Sequence, residues 1–420
     1  MAKRLLDRFL GAIVRKGVLE VARGDGSLKR FGTPEAGYPN VRIRFMSAAG
    51  ERGILLDPRI GAAEAFMDGE LVVEEGDIMD LVTLIRANRP WDRGGNLQTP
   101  NVARRVRNRL AHTFESFNHA RRSRANVSHH YDIGNSLYEL FLDVPHMQYS
   151  CAYWPREDMT LDEAQEAKLA HIAAKLALAP GQRVLDIGCG WGGMAIYLAR
   201  HANVTVHGIT LSQEQLTLAR ERAEEAGVAD RVTFQLIDYR DLAARGVRYD
   251  RIVSVGMFEH VGQPQFDRFF HACANILTDD GVMLLHTIGR MGGPGSTDAF
   301  TRKYIFPGGY IPALSETLAS SEKYRLIATD VETLRLHYAL TLREWYRRCI
   351  EQRERIVALF DERFFRMWTF YLAGATSAFE SGGMCNYQIQ YTRSRHALPL
   401  TRDYLAAEEH DLLGRGAEVP

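Results

Sequence analysis

Four residues of the segment VLDIGCGWGG combine an acidic side chain with closely spaced glycines, namely Asp186, Gly188, Gly190 and Gly192. Glycines at the end of a strand let the backbone pass close to a ligand, and the helix that follows offers unbonded amides at its first turn. The pattern therefore indicates a site for a nucleotide-like cofactor. A dinucleotide loop of the GxGxxG type and a purely structural glycine turn are the alternatives.

Further ligand contacts are expected at the ends of the next two strands. There GITLSQEQ (208–215) and IDY (237–239) lead from each strand into the loop that follows it. The candidates are Thr210, Leu211, Gln215, Asp238 and Tyr239. Asp238 and Tyr239 are placed to meet the amine and the face of an adenine ring. Gln215 has an equally good structural interpretation, because Ser212 and Gln215 have the spacing of a helix capping box.

The elements that position these residues alternate between strand and helix from about residue 160 onward. Thr160 and Glu163 form a capping box that begins a helix. The strands that follow are predicted at 184–188, 204–209, 232–237, 251–255 and 282–288. This alternation predicts an α/β fold with a doubly wound sheet, which brings the carboxyl ends of its parallel strands to one edge.

The N-terminal part mixes short strands with helices and predicts a smaller α+β domain. VRIRF (41–45) alternates apolar and polar residues, as a half-buried strand does. We expect an N-terminal domain over 1–100 that docks on lipid or a membrane or forms a dimer. A basic helical linker over 101–124 and a catalytic domain over 125–420 follow.

The charge balance argues against nucleic acid as a partner, since 52 basic residues face 52 acidic ones. The distribution is uneven, however, with ten arginines and two acids within residues 86–130. The first helix adds an apolar stripe of Leu5, Phe9, Leu10 and Ile13. Together these features predict reversible docking on an anionic membrane surface, with a solvated face or a subunit contact as the alternative.

Five cysteines are scattered without a CxxC pair, which argues against disulfides and a structural zinc site and fits a reducing cytoplasm. No metal is expected.

No apolar run approaches the roughly 18 residues that span a bilayer. The expected location is cytoplasmic, in peripheral contact with the inner face of the membrane.

A series of separated motifs resembles the cyclopropane-fatty-acyl-phospholipid synthases, a family that includes the mycolic acid cyclopropane and methyl transferases. In chain order they are HHYDIGNSLYELFLD, MQYSCAYW, VLDIGCGWGG, GITLSQEQ, SVGMFEHVG, LLHTIGR, FPGGYIP and LRLHYALTLREW. The resemblance covers residues 125–395. AEAFMDGELVVE (63–74) also resembles the bacterial phospholipid-modifying members, which the mycolic enzymes do not share.

The resemblance implies a class I, Rossmann-like methyltransferase fold with S-adenosylmethionine as cofactor. It adds Tyr149 and Ser150 to the cofactor contacts. The implied substrate is a phospholipid with an unsaturated acyl chain. Its double bond attacks the donated methyl, and a base then removes a proton from that methyl so that a cyclopropane ring closes.

In this family a bound bicarbonate takes the role of the base. The positions that match its binding site are Glu259, His286, Ile288 through its backbone N–H, Tyr338 and Cys151. Cys385 matches a cysteine sometimes marked as the active-site residue of the family. No step requires a thiolate nucleophile, so we expect Cys385 to line the pocket.

Two other functions remain open at this point. A hydride shift in place of ring closure would give a methyl-branched or methylene-bearing chain from the same site. A silent lipid-binding paralogue is the alternative from another class, although such a protein has no need for the glycine motif, Glu259, His286 and Tyr338.

Overall fold

The computed structural model describes residues 2–57, 60–95 and 134–416. The chain divides into two compact units. The first contains Met1–Arg107, Thr297–Pro307 and Leu342–Gly383, and the second contains Asn108–Ser296, Gly308–Thr341 and Met384–Pro420. The predicted boundaries at 100 and 124 and the basic linker lie outside the described residues and stay predictions. The sequence did not reveal that 297–307 and 342–383 belong with the first unit.

The first unit contains a four-stranded sheet in the order β2-β1-β3-β4. Its strands are β1 (Val18–Arg23), β2 (Leu28–Phe31), β3 (Asn40–Phe45) and β4 (Leu71–Glu75). Its N-terminal helices are α1 (Ala2–Ile13), α2 (Ala48–Leu56), α3 (Gly61–Met67) and α4 (Ile78–Ala87). Every second residue of β3 is buried, as the alternation in VRIRF predicted.

The apolar stripe predicted on α1 needs a correction. Leu10 and Ile13 are buried within the first unit, whereas Leu5 and Phe9 are 50% and 47% exposed. The two exposed side chains lie four residues apart and therefore share one face of the helix. The stripe divides in this way because a helix in a small domain buries one face in its own core.

The second unit contains a seven-stranded sheet in the order β10-β11-β9-β8-β5-β6-β7. Its strands are β5 (Arg183–Ile187), β6 (Thr205–Thr210), β7 (Val232–Leu236), β8 (Tyr249–Val255), β9 (Leu277–Arg290), β10 (Ile327–Leu334) and β11 (Met384–Thr392). Strands β5 to β9 pair in parallel, and β11 is antiparallel to both of its neighbours. The five parallel strands, β5 to β9, lie where the sequence predicted them.

Helices cover both faces of this sheet. They are α5 (Asn135–Tyr138), α6 (Leu161–Leu176), α7 (Gly193–Ala202), α8 (Gln213–Glu225), α9 (Tyr239–Ala243), α10 (Phe266–Ile276) and α11 (Leu314–Ser321). The chain continues with α12 (His337–Glu351), α13 (Arg353–Leu359), α14 (Glu362–Glu380) and α15 (Asp403–Gly416). Single 3-10 or π turns occur at Trp91–Arg93, Phe258–His260, Gln263–Gln265, Thr301–Ile305 and Glu322–Tyr324. None of the described helices is long and apolar enough to cross a membrane.

Successive residues of β5 and β9 enter two different cores. Val184 packs with the helices on one face, while its neighbour Leu185 packs with the aromatic residues of α10 on the other. Leu284 and Leu285 of β9 divide in the same way. Because side chains alternate along a strand, a sheet buried on both faces requires these continuous apolar runs.

The C-terminal helix α15 is attached to α6 through a buried histidine. The Nε2 atom of His171 lies 2.7 Å from a carboxylate oxygen of Glu332, and its Nδ1 atom lies 2.9 Å from one of Glu409 on α15. Both nitrogens face groups that only accept, so the ring carries two protons. Burial lowers the pKa of His171, but the hydrogen bonds to Glu332 and Glu409 outweigh burial and raise the pKa overall.

Replacing Glu409 by Gln should lower the free energy of unfolding by about 2 kcal/mol at pH 6, as expected for a hydrogen bond to a charged group. Because the folded pKa of His171 is raised, this contribution is complete below the unfolded pKa and disappears as pH rises through the folded pKa. Urea unfolding at pH 6 and pH 9 measures it, with the exposed neighbour Glu408→Gln as control. An equal loss at both pH values would refute the charged pair.

Candidate active site

A loop of glycines after β5 forms one side of the site. Gly188, Gly190 and Gly192 have φ values of +84°, +52° and +81°, a region that other residues rarely adopt. The amides of Gly188 and Cys189 both donate to the carbonyl oxygen of Ile209, at 2.9 and 3.0 Å. The loop is thereby fastened to the end of β6, at the edge of the sheet where the sequence predicted a cofactor.

The three glycines differ in what surrounds them. A Cβ atom on Gly192 would lie 2.6 Å from the ring of Phe234, and one on Gly188 would lie 2.8 Å from the side chain of Met257. A Cβ on Gly190 would meet no described atom within 4 Å. Gly188 and Gly192 are therefore required by packing, while Gly190 borders open space that a ligand can approach.

Asp186, in β5, places a buried carboxyl group directly before this loop. It is 2% exposed, and its Oδ2 atom has no hydrogen-bond partner among the described residues. Burial raises the pKa of Asp186 to about 7, against the opposing effect of Lys168. An unpartnered carboxylate beside an open glycine fits a ligand that carries positive charge, as S-adenosylmethionine does at its sulfonium and its amino group.

The segment 146–150 lies beside the glycine loop. A Cβ on Gly193, at the start of α7, would lie 2.1 Å from the carbonyl oxygen of His146. The ring of Tyr149 packs 5.0 Å from that of Tyr138, which in turn lies 4.9 Å from the ring of Trp191 in the loop. Tyr149 and Ser150, expected among the cofactor contacts, are thus close to the glycines.

At the end of β6, the structure separates the two interpretations of Gln215. Ser212 caps α8, since its hydroxyl accepts from the amide of Gln215 at 3.3 Å. The Gln215 side chain bonds to Thr210 instead, whose hydroxyl donates to it at 3.0 Å. Both side chains are buried at this strand end and Leu211 is half-buried beside them. Their contact with a cofactor stays a prediction.

After β7, Asp238 already has a partner. Its carboxylate caps α9 by accepting from the amide of Arg240 at 2.9 Å, and it also accepts from the Nε atom of Arg240 at 2.7 Å. Tyr239 packs edge-on against Phe269, with the ring centroids 5.4 Å apart. A role of Asp238 at an adenine amine, which stays a prediction, requires a carboxylate shared with Arg240.

A second group of predicted residues lies where β8 and β9 end. Glu259, in the turn after β8, accepts a 2.6 Å hydrogen bond from the amide of Ile288 through its Oε1 atom. Its Oε2 atom is buried without a partner among the described residues. Burial raises the pKa of Glu259 to about 7, although the Ile288 amide lowers it. The Ile288 amide, predicted to bind an anion, is therefore engaged by Glu259.

His286 is held between two amide side chains of β11. Its Nε2 and Nδ1 atoms each lie 3.2 Å from an amide nitrogen, of Asn386 and Gln388 respectively. Burial, followed by Lys168, lowers the pKa of His286 well below its usual value, so the ring is neutral. A neutral imidazole carries one N–H, so one of the two amides must present its oxygen to the ring.

Cys151 and Tyr338 come together because their segments are hydrogen-bonded. The amide of Ala152 donates to the hydroxyl of Thr341 at 3.1 Å, and the amide of Trp154 donates to the Nδ1 atom of His337 at 2.9 Å. These bonds hold the Cys151 segment against the first turn of α12, which carries the buried Tyr338.

The two cysteines of the predicted site are both fully buried. Burial raises the pKa of the Cys151 thiol well above its usual value and that of Cys385, opposite Gly289 in the sheet, to about 11. Thiols in this state are protonated at neutral pH and are poor nucleophiles. A pocket-lining role for Cys385 agrees with this environment.

Sequence reasoning missed Lys168, which is fully buried on α6. Its ammonium group donates to the side chain of Gln148 and, at 3.2 Å, to the hydroxyl of Ser150. The sequence contained a signal of this burial, because Lys168 shares a helix face with apolar residues that are spaced three and four positions apart. That face carries Leu161, Ala164, Gln165, Lys168, Leu169 and Ile172.

Comparison with known proteins agrees with these observations. A family model described as mycolic acid cyclopropane synthetase matches residues 118–389. The chain belongs to this family. The cyclopropane-fatty-acyl-phospholipid synthase of Escherichia coli strain K12 is 37% identical over 377 residues, which cover 87% of this chain and 91% of the relative.

Two further relatives bear on the activity. A probable fatty acid methyltransferase of Pseudomonas putida is 43% identical over 287 residues, which cover 66% of this chain and 72% of the relative. The mycolic acid cyclopropane synthase CmaA1, whose crystal structure contains S-adenosylhomocysteine and CTAB, is 34% identical in sequence and matches with a TM-score of 0.60. The match covers 64% of this chain and 97% of the CmaA1 chain. The chain is an S-adenosylmethionine-dependent methyltransferase of class I fold, which confirms the fold and cofactor predicted from the sequence.

Gly190 and Gly227 form a matched pair for testing the cofactor site. Both have positive φ, and neither would bring a Cβ within 4 Å of a described atom. Gly190→Ala and Gly227→Ala should each cost about 1 kcal/mol of stability. Calorimetric titration should show at least about tenfold weaker S-adenosylmethionine binding for Gly190→Ala, since even a methyl group there enters the ligand space. Wild-type affinity of folded Gly190→Ala would contradict the assignment.

Proposed function

We propose that this enzyme transfers the methyl carbon of S-adenosylmethionine to the double bond of unsaturated acyl chains in phospholipids and closes a cyclopropane ring, with bicarbonate as the base. The observation that carries the proposal is the buried Glu259 carboxyl group, which has one oxygen on the Ile288 amide and one unpartnered. The Escherichia coli relative, whose name describes this product, supports the choice of substrate.

The chemistry sets strict conditions on the site. An alkene is a poor nucleophile, so water must be excluded while it meets the donor. When bound, S-adenosylmethionine supplies an electrophilic methyl carbon. The acyl chain then bears positive charge until a proton leaves, and the surrounding residues must tolerate that charge without attacking it. Protonated thiols and a neutral imidazole, as found at Cys151, Cys385 and His286, satisfy this condition.

The residues around Glu259 fit a small oxyanion. When bound, bicarbonate supplies a base that can approach the methyl from an apolar wall. The Oε2 atom of Glu259 can accept from the O–H of such an anion, because it lacks another donor among the described residues. Rotation of Glu259 toward the anion would release the Ile288 amide as a second donor. Tyr338 completes the proposed set, together with His286, whose ring would have to release Asn386 or Gln388 to donate to the anion.

Glu259→Gln should lower turnover by about 100-fold while changing S-adenosylmethionine affinity little, since Glu259 acts on the proton-removal step. Wild-type turnover should rise with pH through about 7, where burial has moved the pKa of Glu259, and the variant should lose this dependence. Lipid NMR with vesicles of unsaturated phospholipid measures the product. Glu354→Gln, at an exposed position of α13, is the control. Full turnover of Glu259→Gln in bicarbonate-depleted buffer would overturn the assignment.

A methyl-branched or methylene-bearing product is the second candidate, and the Pseudomonas putida relative favours it. A saturated methyl branch also requires an added hydride and proton, so that product is two hydrogens heavier. A cyclopropane ring and a methylene group each add one CH2 unit to the chain, so mass alone does not separate these two products. The proton NMR spectrum does, because ring protons appear well upfield of alkene protons. The same residues would bind donor and chain in either case.

We also propose that one face of α1 docks the enzyme on anionic lipid. Arg4, Leu5, Arg8 and Phe9 are all exposed on it and combine positive charge with two large apolar side chains. Such a face suits the interface of an anionic membrane. The arginines at 104, 105, 107, 109, 121, 122 and 124, which the sequence assigned to docking, lie outside the described residues.

The double variant Leu5→Ser/Phe9→Ser should bind anionic vesicles at least about tenfold more weakly in cosedimentation, because insertion of these side chains is lost. Arg4→Glu/Arg8→Glu should weaken binding by a similar factor at low salt and less at high salt, because exposed charges are screened. Leu56→Ser is the matched control, since Leu56 is 86% exposed in the same unit. Unchanged partitioning of both double variants would exclude α1 from docking.

A further inference from the structure

Lys168 is a buried cation to which the reaction assigns no role. It lies in the middle of α6, is fully buried, and is surrounded by the segment 143–151, the end of β5 and the end of β9. A buried ammonium group is expensive unless it is paired and hydrogen-bonded. A lysine retained in such a place therefore needs a partner that uses its charge.

Hydrogen bonds join Lys168 to the residues before Cys151. Its Nζ atom donates to the side-chain oxygen of Gln148 and to the hydroxyl of Ser150. One turn earlier, Gln165 donates to the carbonyl oxygen of Ser150 at 3.0 Å. These contacts fix Tyr149 and Ser150 on the surface of α6, next to the glycine loop.

The charge of Lys168 acts on the acidic group of the glycine motif. The Oδ2 atom of Asp186 has no hydrogen-bond partner among the described residues, and the positive charge of Lys168 lowers the pKa of Asp186 against the effect of burial. Asp143 is the other carboxylate facing Lys168, but two backbone amides, of His146 and Gln148, already occupy its oxygens at 2.9 and 2.7 Å. Backbone amides thus favour the ionised form of Asp143, whereas for Asp186 the charge of Lys168 does so.

We propose that Lys168 is a positioning residue for the methyl donor, which holds the Tyr149–Ser150 segment in place by hydrogen bonds and supplies a positive charge that favours the ionised form of Asp186 for the ligand. The proposal rests on the donor site described above. It is independent of the product that the enzyme forms. Lys168 touches neither donor nor acyl chain in this role and acts through Asp186 and Ser150.

The predicted pH dependence follows from the sign of each effect. The carboxylate form of Asp186 binds a cationic ligand, so affinity falls as pH drops through the pKa of Asp186, about 7. Removing the ammonium group raises this pKa further and moves the loss of affinity to higher pH. Burial lowers the pKa of Lys168 itself to about 8, so its ammonium group is charged at pH 7 and loses its charge toward pH 9. Other titratable groups near Lys168 are Cys151, whose pKa burial raises, and His146 and His286, whose pKa values burial lowers. Cys189, in the loop beside Asp186, stays a thiol because burial raises its pKa.

The test is calorimetric binding of S-adenosylmethionine between pH 6 and pH 9, without acyl substrate. Lys168→Met should bind about tenfold more weakly than wild type at pH 7, with the acid decline displaced upward by about one pH unit. Lys168→Gln, which keeps a polar group but no charge, should show the same displacement. Asp186→Asn should lack the acid decline, and adding Lys168→Met to it should not restore one.

Lys175→Met is the matched control. Lys175 lies on the same helix and is fully buried, but it pairs with Glu332 and Asp330. This variant should lose stability and keep the wild-type pH profile of donor binding. A profile for folded Lys168→Gln that coincides with wild type would overturn the proposal. Failure of the wild-type enzyme to bind S-adenosylmethionine would instead overturn the donor site itself.

Discussion

Exclusion of water from the carboxyl edge of the seven-stranded sheet is the constraint on which the rest of this structure depends. A sulfonium donor and an alkene react only where water does not compete, so the groups that manage charge must be buried. Asp186, Glu259 and His286 are accordingly 2%, 9% and 1% exposed. Burial in turn moves the pKa values of both carboxyl groups to about 7, where their charge depends on their immediate neighbours.

The neighbours are supplied by elements far apart in sequence. The amide of Ile288 on β9 reaches Glu259 after β8, and the amide side chains of β11 hold His286. Strand β11 pairs antiparallel with β9, which places Gln388 opposite His286 and Asn386 opposite Ile288. The strand that departs from the parallel pattern is therefore the one that supports the second half of the site.

The parts of the fold that depend on local pattern could be predicted from sequence. Strand β5, the loop at 188–192 and the helix after it follow from apolar runs, glycine spacing and capping residues. The parts that depend on tertiary pairing could not. Nothing local to Glu259 reveals that the amide of Ile288 donates to it, and His286 meets Asn386 only because β9 and β11 are paired. The assignment of 342–383 to the first unit likewise depends on packing between distant segments.

Lys168 illustrates the same limit for charge. A lysine in a helix is normally solvated, and an ordinary charged residue on α6 would have been read as part of its exposed face. Only the apolar residues that share its stripe indicated burial, and the identity of its partners required the fold. The candidate residues matched by family motifs were found from sequence, whereas the residue that tunes one of them was not.

Two buried carboxyl oxygen atoms of the site lower the stability of the folded protein. The Oδ2 atom of Asp186 and the Oε2 atom of Glu259 are buried and unpartnered among the described residues, and each such group costs about 1–3 kcal/mol. Apolar replacements would remove this penalty, but they would also remove the carboxyl groups that we propose bind a cationic donor and a small anion. Unpartnered polar groups of this kind persist at functional sites because a bound ligand supplies the missing hydrogen bonds. Asp186 lies in β5 and Glu259 follows β8, and these two strands are neighbours in the sheet. The described residues alone therefore leave the polar network incomplete at these two carboxyl groups.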